Sequence, residues 1–135
     1  MLIFIIACAT VRDSAAKDST PLEPTFTNVQ AEVFDHSCTF STCHGASGSA
    51  GDLDLTTGNA YAELVSVAAV GPLELDTAST EILVIPGDVE NSYLMKKLRG
   101  DDGIYKKRMP STGSALDADR MKLVEDWISA GALDN

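Results

Sequence analysis

Apolar positions recur at helical spacing in three stretches of the chain. Val29 and Val33 lie four residues apart with Phe34 beside them, which predicts a helix opening at Phe26 and Thr27, with Thr27 as its N-cap. That helix would carry Cys38 at its C-terminal end. Tyr93, Leu94 and Leu98 form a second apolar face, entered from Asp88 or Asn91 as a cap and stopped by Gly100. Lys96, Lys97 and Arg99 near its end suit the helix dipole. The third stripe is the broadest: Leu123/Trp127 and Val124/Ile128 are i,i+4 pairs, Asp117 is the expected N-cap, Leu116 and Met121 form a hydrophobic staple, and Gly131 ends the helix. Asn59 can cap a shorter helix through Tyr61, Leu64 and Val65. No repeat and no strong strand alternation is visible, so the expected fold class is all-α.

Polar and glycine-rich stretches divide these elements. Residues 9–25 are rich in Ser, Thr, Asp and Ala with two prolines, a composition that buries little and reads as a flexible linker. Residues 45–51 hold three glycines, which predicts a loop whose backbone can approach a flat ring closely. In it Leu53 and Leu55 follow, alternating with Asp52 and Asp54, and Pro86-Gly87-Asp88 reads as a turn. One domain over residues 26–135 follows from this division.

Composition narrows the partners. A 44% apolar content over 135 residues suffices for one modest core. The net charge of -10 excludes nucleic acid as an expected ligand, because phosphate binding needs clustered cations, and gives no reason for adsorption to anionic lipid. The charge is polarised: 13 acids precede Asn91 against Arg12 and Lys17 alone, while Lys96, Lys97, Arg99, Lys106, Lys107 and Arg108 fall together. Such a cluster, with Asp101 and Asp102 inside it, can steer an acidic redox partner or pair with the carboxylates of a bound cofactor, or it can be a solvated helix end and loop.

The N-terminal segment, residues 1–8, carries an apolar run from Leu2 to Ile6, and Ile5-Ile6-Ala7-Cys8 resembles the site at which bacterial lipoproteins are cleaved and acylated. The run is shorter than a usual signal core and lacks a basic residue ahead of it, as though the true start lay upstream. The expectation is export to the periplasm or cell envelope, with membrane contact only through a lipid on Cys8. An apolar tail that packs or frays is the alternative.

Chemistry concentrates in Cys-Thr-Phe-Ser-Thr-Cys-His, residues 38–44. Two nearby thiols can each add to a haem vinyl group as a thioether, while the imidazole of His44, directly after Cys43, remains able to reach the iron. The usual spacing between such cysteines is two residues and this chain has four, so residues 39–42 are expected to bulge while the Cys43-His44 link stays intact. His44 fills one axial position; His36, Met95, Met109 and Met121 are candidates for the other. Met95 and Met121 sit at core positions of helices, and His36 lies too close to the cysteine loop to cross the ring. Met109 stands before Pro110 in a polar loop joining the two clearest helices, which makes it the preferred distal ligand.

From Phe26 to Ala132 the chain resembles small bacterial class I cytochrome c domains of the exported lipoprotein type. The resemblance rests on Cys43-His44-Gly45, Gly-Asp-Leu-Asp-Leu (51–55), Pro-Gly-Asp-Val-Glu-Asn-Ser-Tyr-Leu (86–94), Met109-Pro110 and Trp-Ile-Ser-Ala-Gly-Ala (127–132), in that order. It implies an all-α cytochrome c-like fold around one covalent haem c, with the N- and C-terminal helices packed together. It further implies Cys38 and Cys43 in the thioether positions, His44 as proximal and Met109 as distal iron ligand, and electron exchange with redox partner proteins rather than enzymatic turnover. Trp127, Tyr61 and Tyr93 are then expected to pack the haem pocket.

Three other readings use the same residues. A Cys38–Cys43 disulfide would make this a haem-free binding or structural lipoprotein. Zinc could use His36, Cys38, Cys43 and His44, although adjacent ligands strain a tetrahedral site. A haem left open on the Met109 side would suit peroxidase or gas-binding chemistry, for which no acid-base group stands near Met109.

Overall fold

The computed structural model describes residues 20–46, 50–69 and 81–135. The expected signal segment at residues 1–8, Cys8 included, and residues 9–19 of the linker lie outside the described residues. Among those described, helices dominate: α1 Phe26–Val29, α2 Asp35–Ser37, α3 Ala60–Leu64, α4 Tyr93–Arg99 and α5 Ala118–Ser129. No strand forms among them; pairing is confined to isolated bridges such as Val65 with Val84 and Ala68 with Ile82. No described helix is long and apolar enough to cross a membrane.

The first helical run is one continuous stretch, in which a π-helical segment, Gln30–Phe34, joins α1 to α2. Its start differs from the expected one by two residues. Thr25, not Thr27, is the N-cap, and its hydroxyl accepts from Asn28 N–H at 3.2 Å. The hydroxyl of Thr27 instead donates to the Asn135 carbonyl at 2.8 Å, which also accepts from Thr27 N–H, while Asn135 Oδ1 accepts from Phe26 N–H at 3.0 Å. The orphan donors of the first turn are therefore satisfied by the C-terminal end of the chain, a long-range partner that no local capping rule supplies.

α5 follows its pattern closely. The Asp117 carboxylate accepts from Arg120 N–H at 2.9 Å, and Leu123, Val124, Trp127 and Ile128 are all buried. Gly131 adopts φ 104 just past the helix, where a side chain would be strained. α5 packs against α1, and Phe26 is the hub of that contact: its ring lies 5.4 Å from Trp127, 5.1 Å edge-on from Tyr61 and 6.3 Å from Phe34, centroid to centroid. The N- and C-terminal helices are thus packed together, as expected.

α4 packs on α5 through Leu94, Met95 and Leu98. Neither Asp88 nor Asn91 caps it. Ser92 holds the N-cap position, but its buried hydroxyl turns back, donating to Asp88 O at 2.6 Å and accepting from Ile85 N–H at 2.9 Å. Asp88 and Asn91 bond each other across the turn that leads in. Asn59 likewise precedes α3 without capping it, donating its side-chain amide to Asp54 and Thr56.

Because Trp127 is 1% exposed and joins α5 to the first helix, Trp127→Ala is expected to lower stability by about 3–5 kcal/mol. Urea unfolding of the two proteins with an unchanged m-value is the check.

Candidate functional site

The Cys-x4-Cys-His loop is closed on itself by backbone hydrogen bonds. His44 N–H donates to the Cys38 carbonyl at 3.0 Å, and Cys43 N–H to that of Phe40 at 2.8 Å. The ends of the loop are thereby pinched together, and the residues between them are pushed outward; Phe40 is 61% exposed. The expected bulge at residues 39–42 is present in this form.

Gly45 makes the closure possible. A Cβ built there would lie 2.7 Å from the Thr39 carbonyl oxygen, closer than a real Cβ sits to any backbone atom. The close approach expected of this glycine is therefore to the cysteine loop itself. Chain beyond it returns to support His44: Leu55 N–H donates to the His44 carbonyl at 2.8 Å, and Gln30 Nε2 ties the Leu55 carbonyl to the first helical run at 2.9 Å.

The imidazole is oriented by backbone on the far side of the loop, at Leu53 and Ala50. His44 Nδ1 lies 3.2 Å from the Leu53 carbonyl, which can only accept, so the proton is assigned to Nδ1 and the lone pair to Nε2. Metal-binding histidines are commonly fixed in this way. Burial lowers the His44 pKa from its ordinary 6.5, aided by the charge of Lys97 and opposed by hydrogen bonds to the backbone of Leu53 and Ala50.

Met109 reaches the same place from the far end of the sequence. It is anchored by its N–H, which donates to the Lys97 carbonyl at 2.8 Å, and its peptide bond to Pro110 is cis. His44 and Met109 both line one cavity of about 340 Å³. Val67, Ala69 and Leu83 supply much of its apolar wall, brought there by the bridges between residues 65–69 and 82–85. The volume lies in the range of small-molecule and cofactor sites. Met95, fully buried in α4, and Met121, packed against the core from α5, are not on it, and His36 is exposed.

The two sulfurs are placed differently. Both thiols are free, so no Cys38–Cys43 disulfide is formed, and neither sulfur is part of the cavity lining. Cys38 packs against the core with its Sγ 3.6 Å from the Val33 carbonyl. Burial, and then the neighbouring Cys43, push its pKa up to about 12. Among the described residues no group of three or more His, Cys, Asp or Glu side chains is gathered as a metal ion would require, which removes the geometric basis for zinc at His36, Cys38, Cys43 and His44.

Of the three aromatic residues expected around the pocket, only Tyr93 lines it. Trp127 donates its indole N–H to Leu133 O at 2.9 Å, and Tyr61 its hydroxyl to Ala132 O at 2.9 Å; both belong to the core under α5. Tyr105 was not singled out by sequence, yet it lines the cavity together with Lys97 and Lys106 of the basic cluster. Lys97 donates to the carbonyls of Tyr105 at 2.7 Å and Lys107 at 2.6 Å, and burial, then Lys106, lower its pKa from 10.5. The basic cluster is thus partly spent: Lys96 pairs with Glu81, and Arg99 with Glu90 and Glu125. Asp52 and Glu63 share the cavity with Lys97 and Lys106, so its rim carries both signs of charge.

Comparisons with family models, with curated proteins and with solved structures gave no match.

Two outcomes follow from this geometry. Gly45→Ala should destabilise the chain by about 1–3 kcal/mol, because the opposing atom is backbone and cannot swing aside; thermal unfolding compared with the unsubstituted protein measures it. His44 should titrate below 6.5 by NMR. Since the unfolded ring takes up its proton first, the chain without bound ligand should lose stability as pH falls from 6.5 toward the folded midpoint, and His44→Gln should remove that part of the dependence.

Proposed function

We propose that this chain is a one-electron carrier holding a single covalent haem c, with Cys38 and Cys43 as thioether attachments and His44 and Met109 as axial ligands. The observation that carries the reading is the meeting of His44 and Met109 on one cavity, although 65 residues separate them in the sequence. Imidazole and thioether together are a donor set suited to haem iron in electron transfer. The resemblance to exported cytochrome c domains adds a lipid on Cys8, a cell-envelope location and redox proteins as partners.

The residues present fit this group on the axial side. His44 would bind through Nε2, its ring held by the Leu53 carbonyl, and Met109 through Sδ from the loop after α4. When bound, haem supplies a ferric/ferrous couple whose potential this ligation raises. Val67, Ala69 and Leu83 would give the bound group an apolar wall, and an apolar surrounding favours the less charged, reduced state. On the thioether side the sulfur of Cys38 has to exchange its contact with the Val33 carbonyl for a bond to carbon. The carrier role needs no proton relay toward a substrate.

Co-expression with haem-maturation machinery in an exporting host is the test. The denatured chain should gain the mass of one haem and show a c-type spectrum in both redox states, with Cys38→Ala and Cys43→Ala each altering the attachment. In Met109→Ala the potential should fall and the reduced spectrum should change. A chain that leaves the maturation pathway with no covalent haem overturns the proposal, and a loss of two hydrogens from its mass would favour the disulfide-bonded binding protein instead.

A further inference from the structure

On the reading that Met109 is an axial ligand, we propose that Lys97 is its positioning residue, a single side chain and peptide that clamp the methionine-bearing loop to α4. Residues 100–110 contain no helix or strand, and Tyr105, Lys106 and Lys107 are exposed. A loop of this kind has little apolar burial to hold it. Its attachment falls instead on one face of α4.

Three contacts are made by Lys97 alone. Its ammonium donates to the Tyr105 carbonyl at 2.7 Å and the Lys107 carbonyl at 2.6 Å, and its own carbonyl accepts from Met109 N–H at 2.8 Å. The loop is therefore gripped two and four residues before Met109 and at Met109 itself. Tyr93, four residues earlier on the same helix face, adds the last tie: its hydroxyl accepts from Tyr105 N–H at 2.9 Å. Lys97 and Tyr93 both line the cavity with Met109, so the clamp and the ligand share one wall.

Hydrogen bonds from a charged donor are worth more than neutral ones, and the ammonium spans two carbonyls at once, which offsets part of the weakening by solvent at this exposed rim. Removing the ammonium leaves the Met109 N–H contact but frees the rest of the loop. The population with sulfur withdrawn from the iron then rises, and any exogenous ligand that competes for that position binds more tightly.

Holo-protein carrying Lys97→Leu, which keeps an apolar stem and adds neither a donor nor a sulfur, is compared with wild type by imidazole titration of the ferric form. Binding about tenfold tighter is expected, from the loss of about 1.4 kcal/mol of charge-assisted hydrogen bonding. The methionine-to-ferric-iron absorption band should weaken and the potential should move toward that of Met109→Ala. Lys97→Arg, which retains donors for both carbonyls, should restore all three signals. Should Lys97→Leu not fold, Tyr93→Phe removes one tie and should shift the imidazole affinity in the same direction by a smaller factor. Wild-type affinity, band and potential in Lys97→Leu overturn the clamp while leaving the carrier reading intact. A wild-type chain with no haem, or with haem whose spectrum ignores Met109→Ala, removes the ligand assignment and the clamp together.

Discussion

The packing of Phe26 against Trp127, Tyr61 and Phe34 is the contact on which the site depends. His44 is carried by a loop that hangs from the end of the first helical run, and Met109 by a loop that hangs from α4. Among the described residues, the core shared by those elements and α5, together with the bridged segments at 65–69 and 82–85, sets one loop against the other. Backbone bonds from Phe26 and Thr27 to Asn135 reinforce the same junction from the end of the chain. A shift between α1 and α5 would therefore be transmitted undamped to the cavity, since close-packed interiors do not absorb displacement gradually.

Two kinds of order meet at that cavity. The His44 side is held by backbone: a pinched loop, a glycine whose Cβ would collide with a carbonyl, and a carbonyl that orients the imidazole. The Met109 side is held by side chains of α4 acting on an exposed loop. The first arrangement is rigid because each contact is short in sequence and satisfied on both sides of His44. The second rests on an ammonium group at a partly solvated rim, where electrostatic contacts are weaker and sensitive to ionic conditions. Of the two proposed iron ligands, His44 is thus the more firmly placed.

The four-residue spacing between Cys38 and Cys43 has a structural counterpart. Residues 39–42 leave the body of the protein as a bulge tipped by exposed Phe40, and Cys38 turns its thiol inward, where burial suppresses ionisation. The same segment thus combines a tightly closed backbone with two sulfurs that remain free of each other and outside the cavity lining.

Periodicity in the sequence determined the helices that bury a stripe: Leu123, Val124, Trp127 and Ile128 in α5, Leu94 and Leu98 in α4, Val29, Val33 and Phe34 in the first run. It also singled out His44 and Met109, because a Cys-His pair and a methionine in a polar loop are visible as residue types at positions. The caps at Thr25 and Ser92, the role of Gly45 and the clamp at Lys97 were not legible. Each depends on which backbone carbonyl or amide the folded chain presents to it, and backbone groups carry no residue identity for a sequence to display. Trp127 and Tyr61 went to the core rather than the pocket for a related reason: an aromatic residue buries its ring wherever packing is deepest, and only the tertiary arrangement decides where that is.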